Sequence, residues 1–154
     1  MEKERNSKDK SMQDAPQSDN SLPQPVNILL VEDDEVDAEL VARVLRREKI
    51  SNPFFTATDG VEALNLLKGQ TAPQQPCLVL LDINMPRMDG FQLLDAMKND
   101  ETMKNNVVFM LTTSGRDEDK RRAEKMDAKG YILKENTGAL VDILRRYCHA
   151  VNKA

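Results

Sequence analysis

Short apolar runs alternate with amphipathic stretches from residue 26 onward, and that alternation predicts a repeating order of strand and helix. Residues 26–31 are apolar but for Asn27 and read as a strand buried on both faces. Val36, Leu40, Val41, Val44 and Leu45 then recur at helical spacing with Arg and Glu between them, which predicts a helix over 37–48 with these five on its inner face. Residues 54–58 form a short strand after Pro53, and Asp59 and Gly60 open a second helix with Val61, Leu64 and Leu67 inward and Gly69 as its stop. Cys77–Leu81 is a third strand, and Gly90 leads into a third helix carrying Phe91, Leu93, Leu94 and Met97. Residues 107–111 are a fourth strand, and Ile132 and Leu133 centre a fifth. Between them, residues 116–127 are almost entirely charged, with Ala123 and Met126 as a thin inner stripe, so a solvated and easily displaced helix is expected there. A last helix covers about 138–151, with Leu140, Leu144, Tyr147, Cys148 and Val151 on one side.

Five strands alternating with five helices imply an α/β fold, a doubly wound parallel sheet of flavodoxin-like type with helices on both faces. Right-handed crossovers restrict the topology, and strand order 2-1-3-4-5 is the solution expected at this size. In that order the first and third strands are neighbours. Their C-terminal ends carry Glu32, Asp33 and Asp34 on one and Asp82 on the other, so these acids converge on one pocket. The fourth strand ends in Thr112, Thr113 and Ser114 and the fifth in Lys134, all on that same edge.

Composition changes the picture mainly by exclusion. The chain has 154 residues, enough for one domain with a substantial core. A net charge of −4 argues against a nucleic-acid-binding surface. No apolar run approaches the roughly 18 residues a membrane helix needs, and the N-terminus lacks a hydrophobic signal region. Cys77 and Cys148 form neither a metal pattern nor a disulfide framework, so both are expected to be reduced core residues in a cytoplasmic protein. Residues 1–25 are polar and of mixed charge, too poor in apolar groups to offset their ordering entropy, and are expected to be a disordered tail before a domain over 26–151.

Three carboxylates brought together without a counter-charge repel one another by roughly 4 kcal/mol per pair at about 4 Å and an effective dielectric near 20. Proton uptake or a divalent cation relieves this, and oxygen-only donors suit Mg²⁺, which keeps several waters and completes its shell with phosphate. Helix capping is the ordinary use of such acids and accounts for Asp34, just before the first helix. It leaves acids at two separate strand ends unexplained. With a hydroxyl at Thr112 and an ammonium at Lys134, the set outlines a phosphoryl-transfer site in which Asp82 is the nucleophile.

The stretches Val31 to Asp34, Leu81 to Gly90, Leu111 to Ser114 and Gly130 to Lys134 resemble the receiver domain of two-component response regulators, over about residues 26–150. The resemblance implies that Asp82 takes a phosphoryl group from a phosphohistidine on a sensor histidine kinase or a histidine phosphotransfer protein. It implies Mg²⁺ held by Glu32, Asp33, Asp82 and the backbone carbonyl of Asn84, with Lys134 and Thr112 on the phosphoryl oxygens. It further implies a switch in which Thr112 moves toward the phosphate and Tyr131 turns inward, altering the face made by the fourth helix, fifth strand and fifth helix. Asn84 and Ser114 are the positions expected to tune phosphate lifetime.

Two features depart from the family pattern. Glu135 follows Lys134 where the family usually has a proline with a cis peptide, so a trans peptide and a differently shaped loop are expected there. Glu32 replaces the more frequent Asp. A stand-alone regulator is expected, acting on a downstream protein target as a monomer or a phosphorylation-dependent dimer, with neither nucleic acid nor membrane as partner. The Thr112–Ser114 segment and the long approach to the third strand resemble single-domain regulators of bacteriophytochrome-type kinases. His149, the lone histidine, sits where a cation suits a helix C-terminus and is not expected to be a phosphodonor.

Three other classes compete. A phosphatase or dehalogenase with a nucleophilic Asp has a second acid two residues on, where this chain has Asn84. A degenerate receiver that only binds would have lost part of the acid, Asp and Lys set. A nucleotide-binding α/β domain needs a glycine-rich first turn, and residues 32–36 contain no glycine.

Overall fold

The computed structural model describes residues 26–68 and 76–148. Its elements are β1 (Asn27–Val31), α1 (Glu35–Arg47), β2 (Phe54–Ala57), α2 (Gly60–Lys68), β3 (Cys77–Leu81), α3 (Gly90–Lys98), β4 (Val107–Thr112), α4 (Asp117–Lys125), β5 (Gly130–Leu133) and α5 (Thr137–Tyr147), with a 3₁₀ turn at Glu101–Met103. The five strands pair in parallel in the order β2-β1-β3-β4-β5, as the sequence predicts. The expectations for residues 1–25, Gly69, His149 and Val151 fall outside the described residues.

Every residue of β1 and β3 is buried, because these central strands are covered on both faces. Successive side chains point to opposite sides of a strand, which divides the core in two. Leu29, Val31, Val79 and Leu81 face Ala63 of α2, Phe91 and Leu94 of α3 and Ala123 of α4. Ile28, Leu30, Leu78 and Leu80 face Val41, Val44 and Leu45 of α1 and Leu140, Leu144 and Tyr147 of α5. Each fully buried Leu, Ile or Val contributes roughly 1.5–3 kcal/mol of transfer free energy. Phe109 and Tyr147 add an edge-to-face pair with centroids 5.8 Å apart.

The helices depart from the predicted inner faces in two places. On α1, Val41, Val44 and Leu45 are buried, but Val36 is 77% and Leu40 37% exposed. Asp34 caps a helix that starts two residues earlier than the pattern predicts, and at about 100° per residue Val36 lies roughly 130° and Leu40 roughly 90° round the helix from the centre of the buried stripe. On α2 the inner face centres on Ala63, with Leu64, Leu66 and Leu67 only half-buried against it. The predicted thin stripe of α4 is observed: Ala123 is its buried residue, and Met126 just beyond it is half-buried. The guanidinium of Arg122 adds a contact 4.2 Å from the Phe91 ring centroid. Among the described residues, no helix is long and apolar enough to cross a membrane.

Cys77 and Cys148 are both free thiols, and burial pushes Cys77 up to about 11 and Cys148 up to about 12. A thiol raised in the folded state holds its proton longer there than in the unfolded chain. Its stabilising contribution is therefore complete below the ordinary value of 9.0 and is lost as pH rises toward about 11 for Cys77. We expect urea unfolding of the wild type to lose up to about 1.4 kcal/mol per pH unit more than Cys77→Ala between those limits. Parallel stability–pH curves for the two proteins would show that this thiol is not the cause.

Candidate functional site

The pairing of β1 with β3 places Val31 beside Leu81, so the residue following each emerges at the same sheet edge. Two backbone bonds extend the sheet there: the Glu32 amide donates to the Ala57 carbonyl at 2.8 Å, and the Asp82 amide to the Val31 carbonyl at 3.1 Å. Glu32, Asp33 and Asp82 each bring a carboxylate oxygen within 4.8 Å of the others. Glu32 and Asp82 are buried and Asp33 is exposed. Hard oxygen donors in this grouping fit a divalent cation. Asp34 turns away from them, its carboxylate accepting the Val36 and Asp37 amides at 2.8 and 3.2 Å as the cap of α1.

Lys134 reaches this cluster from the end of β5, where its amide donates to the Thr112 carbonyl at 2.8 Å. Its Nζ lies 2.5 Å from Glu32 Oε1, 2.8 Å from Asp37 Oδ2 and 3.4 Å from Asp82 Oδ2. Burial alone would lower the Lys134 pKa, but the hydrogen bonds to Asp37 and Glu32 and the charge of Asp82 outweigh it and hold the ammonium above the usual lysine value. Burial likewise dominates at Glu32 and pushes its carboxyl up, against the pull of Lys134 and the Asp34 amide. No cis peptide occurs among the described residues, so the Lys134–Glu135 bond is trans, as expected from the missing proline.

Thr112 ends β4 fully buried, and its hydroxyl accepts the Ser114 amide at 3.3 Å. Ser114 is engaged by α4: its hydroxyl donates to Asp119 at 2.6 Å and accepts the Arg116 amide at 3.3 Å. The Ser114 carbonyl accepts the Tyr131 hydroxyl at 2.9 Å, with the ring half-buried. Asn84 stands exposed in the turn between β3 and α3.

That turn is tightly held. Asp82 Oδ1 accepts the Ile83 amide at 2.8 Å, and the Ile83 carbonyl accepts the Gly90 amide at 2.9 Å. Arg87 has a φ of 65°, an uncommon conformation for a side-chain-bearing residue, and its guanidinium pairs with the buried Asp59. The other Asp59 oxygen accepts the Glu62 amide at 2.9 Å. That amide first, then Arg87, holds the Asp59 carboxyl below its ordinary value. Asp89 and Gln92 form a reciprocal capping box at the start of α3.

All the predicted residues of the pocket therefore come from one edge, and Glu32, Asp33, Asp82 and Lys134 meet there. Sequence reasoning missed Asp37 and the Asp59–Arg87 pair as parts of this edge. Asp37 stands in the first turn of α1, three residues after the capping Asp34, a placement that offered a signal. Nothing local signals a pairing of Asp37 with a lysine 97 positions later.

The family model for the response regulator receiver domain matches residues 28–145. This chain belongs to that family. The response regulator Rcp1 of Synechocystis sp. is 35% identical over 120 residues, which span 76% of this chain and 81% of that protein. The Mn²⁺-bound crystal structure of Rcp1 superposes with a TM-score of 0.66, covering 79% of this chain and 90% of that one at 32% identity. The phosphorylated cyanobacterial phytochrome response regulator RcpA gives a TM-score of 0.67 at 32% identity, over 79% of this chain and 90% of RcpA. The bacteriophytochrome response regulator AtBRR gives 0.69 at 29% identity, over 85% of this chain and 100% of AtBRR. As a receiver domain the chain is a two-component signalling protein, in a family for which phosphoryl transfer with a divalent cation is general.

In this receiver domain the turn after Asp82 depends on close backbone approach at Gly90. A Cβ there would lie 2.3 Å from the Asp82 carbonyl oxygen and 2.9 Å from Ile83 Cα, both backbone atoms that cannot swing aside. Gly90→Ala is expected to cost about 1–3 kcal/mol by forcing α3 away from β3. A urea-unfolding midpoint equal to that of the wild type would contradict this.

Proposed function

We propose that this receiver domain, taken as residues 26–151, accepts a phosphoryl group on Asp82 from a phosphohistidine of a sensor histidine kinase or phosphotransfer protein. The observation that carries the reading is the meeting of Glu32, Asp33 and Asp82 within 4.8 Å, with the Lys134 ammonium 3.4 Å from Asp82. A carboxylate oxygen of Asp82 attacks phosphorus. The phosphorus–nitrogen bond breaks, its electron pair returns to the imidazole, and an acyl phosphate remains on Asp82. Glu32, Asp33, Asp82 and the Asn84 carbonyl would hold Mg²⁺, which supplies positive charge to the transferring oxygens when bound. Lys134 neutralises a phosphoryl oxygen and the Thr112 hydroxyl donates to another. The Ile83 amide, already on Asp82 Oδ1, keeps the carboxylate oriented. Asn84, exposed beside Asp82, and Ser114 are the positions we assign to tuning the lifetime of the acyl phosphate.

Output is assigned to the face of α4, β5 and α5. Thr112 is joined to Ser114, and Ser114 to both α4 and Tyr131, so a shift of Thr112 toward a phosphate pulls on that whole chain. A cavity of about 450 Å³ on this face is lined by Lys120, Ala123, Tyr131, Ile132, Asn136 and Ala139, among others, and offers a place for a downstream protein or a second receiver. The likeness to AtBRR and RcpA supports a bacteriophytochrome-type kinase as donor. Two free thiols, Cys77 buried and Cys148 half-buried, suit the reducing cytoplasm.

Incubation with acetyl phosphate and Mg²⁺ should add one phosphoryl mass to the wild type and none to Asp82→Ala by intact mass spectrometry. Equal labelling of the two would remove Asp82 as acceptor. In calorimetric Mg²⁺ titrations, Asp33→Ala should bind at least about tenfold more weakly than wild type, since one of few charged oxygen ligands is gone. Unchanged affinity would place the cation elsewhere.

A further inference from the structure

We infer that Asp37 is a positioning residue for Lys134, a counter-ion that draws the ammonium away from Asp82 and so opposes phosphorylation. The inference rests on the phosphoacceptor reading above. Lys134 Nζ makes its short contacts to Glu32 and Asp37, at 2.5 and 2.8 Å, while Asp82 lies at 3.4 Å, beyond good charge-assisted hydrogen-bond length. The two short contacts differ in kind. Glu32 belongs to the acidic cluster, so a bound divalent cation shares its charge. Asp37 lies outside that cluster, so a cation held there would leave its carboxylate available to the lysine.

The position of Asp37 on α1 supports the same conclusion. It is the third residue of the helix, the position from which a Glu or Gln in a capping box reaches back to the capping residue's amide. Here the Asp34 amide is instead taken by Glu32 at 3.1 Å, and Asp37 points across to β5. The Asp37 side chain is one-third exposed against 11% for Lys134, so removing its charge leaves no buried orphan on the α1 side. A phosphoryl oxygen on Asp82 must win Lys134 from this partner or share it. Whatever Asp37 contributes to the unphosphorylated state is subtracted from what Lys134 contributes to the phosphorylated one.

The test compares wild type, Asp37→Asn and Asp37→Glu at saturating Mg²⁺, reading the phosphorylated fraction by intact mass across a range of acetyl phosphate concentrations. Asp37→Asn keeps the shape without the charge and should reach half-phosphorylation at an acetyl phosphate concentration about two- to fivefold lower than wild type, the scale of a partly exposed ion pair. Asp37→Glu should return toward the wild-type value, and added salt should narrow the gap between wild type and Asn. A role confined to helix stability would lower the melting temperature of both variants and leave the half-point unmoved. An unchanged or higher half-point for Asp37→Asn, with wild type labelled at Asp82, overturns the role of Asp37 alone. Absence of phosphoryl mass on wild type overturns the phosphoacceptor reading and this inference together.

Discussion

Lys134 brings one ammonium, only 11% exposed, among carboxylates carried by the end of β1, the first turn of α1 and the end of β3, and the acidic edge of the sheet depends on that shared contact. The parallel register of β1 and β3 forces Glu32 and Asp82 side by side whether or not their charges are compatible. Hydrophobic burial on both faces of these strands fixes that register, so the repulsion has to be met locally. Lys134 meets part of it. Its backbone is itself pinned by the Thr112 carbonyl, so the lysine is delivered by the sheet rather than by a flexible loop. One ammonium cannot balance Glu32, Asp33, Asp37 and Asp82 together, and the remaining negative charge is what makes the edge receptive to a divalent cation.

The strands were legible because a parallel sheet covered on both faces writes itself as unbroken apolar runs, and the run at Cys77–Leu81 coincides with β3 to the residue. Strand order followed from right-handed crossovers and needed no particular residue. The helices were harder. Val36 and Leu40 lie four residues apart and share one edge of the wheel, yet at about 100° per residue that edge lies to one side of the stripe of Val41, Val44 and Leu45, so pairwise apolar spacings overstate the buried face. Ala63 anchors α2 among larger neighbours that draw the eye, whereas Ala123 on α4 was legible because almost everything around it is charged. The 3₁₀ turn that buries Met103 was missed for a related reason: a single apolar residue carries no period.

At the site, the division is between what a strand end delivers and what a loop or helix contributes from the side. Glu32, Asp33, Asp82, Thr112 and Lys134 follow directly from where four apolar runs stop. Asp59 was legible as the residue opening α2, and its Glu62 contact is that role. Its second oxygen, which holds Arg87 and through it the turn after Asp82, depends on a conformation with positive φ that no residue preference announces for arginine. Asp37 is the same case on the other side of the pocket. Both are acids near a helix start whose further contact is set by a partner distant in sequence.

The path from Thr112 outward shows why α4 suits an element that shifts. The capping position, Arg116, makes no side-chain capping bond to the helix backbone and pairs instead with the exposed Glu118 side chain, while Ser114 ties the start of α4 through Asp119. Beyond that tie, the helix is held by one buried alanine, a half-buried methionine at its end and the Arg122 contact on Phe91. The Tyr131 hydroxyl sits on the carbonyl of the same Ser114, so α4 and the aromatic ring share one anchor. An element with little apolar burial is separated from its alternatives by a small free energy, and a hydrogen bond worth about 1 kcal/mol at its anchor is enough to redistribute them. The strands beneath have no such latitude, since moving β4 would unpack both cores at once. In the proposed switch, a displacement beginning at Thr112 would therefore have one inexpensive direction, outward through Ser114 into α4 and Tyr131, and the rigidity of the sheet would give that direction to it.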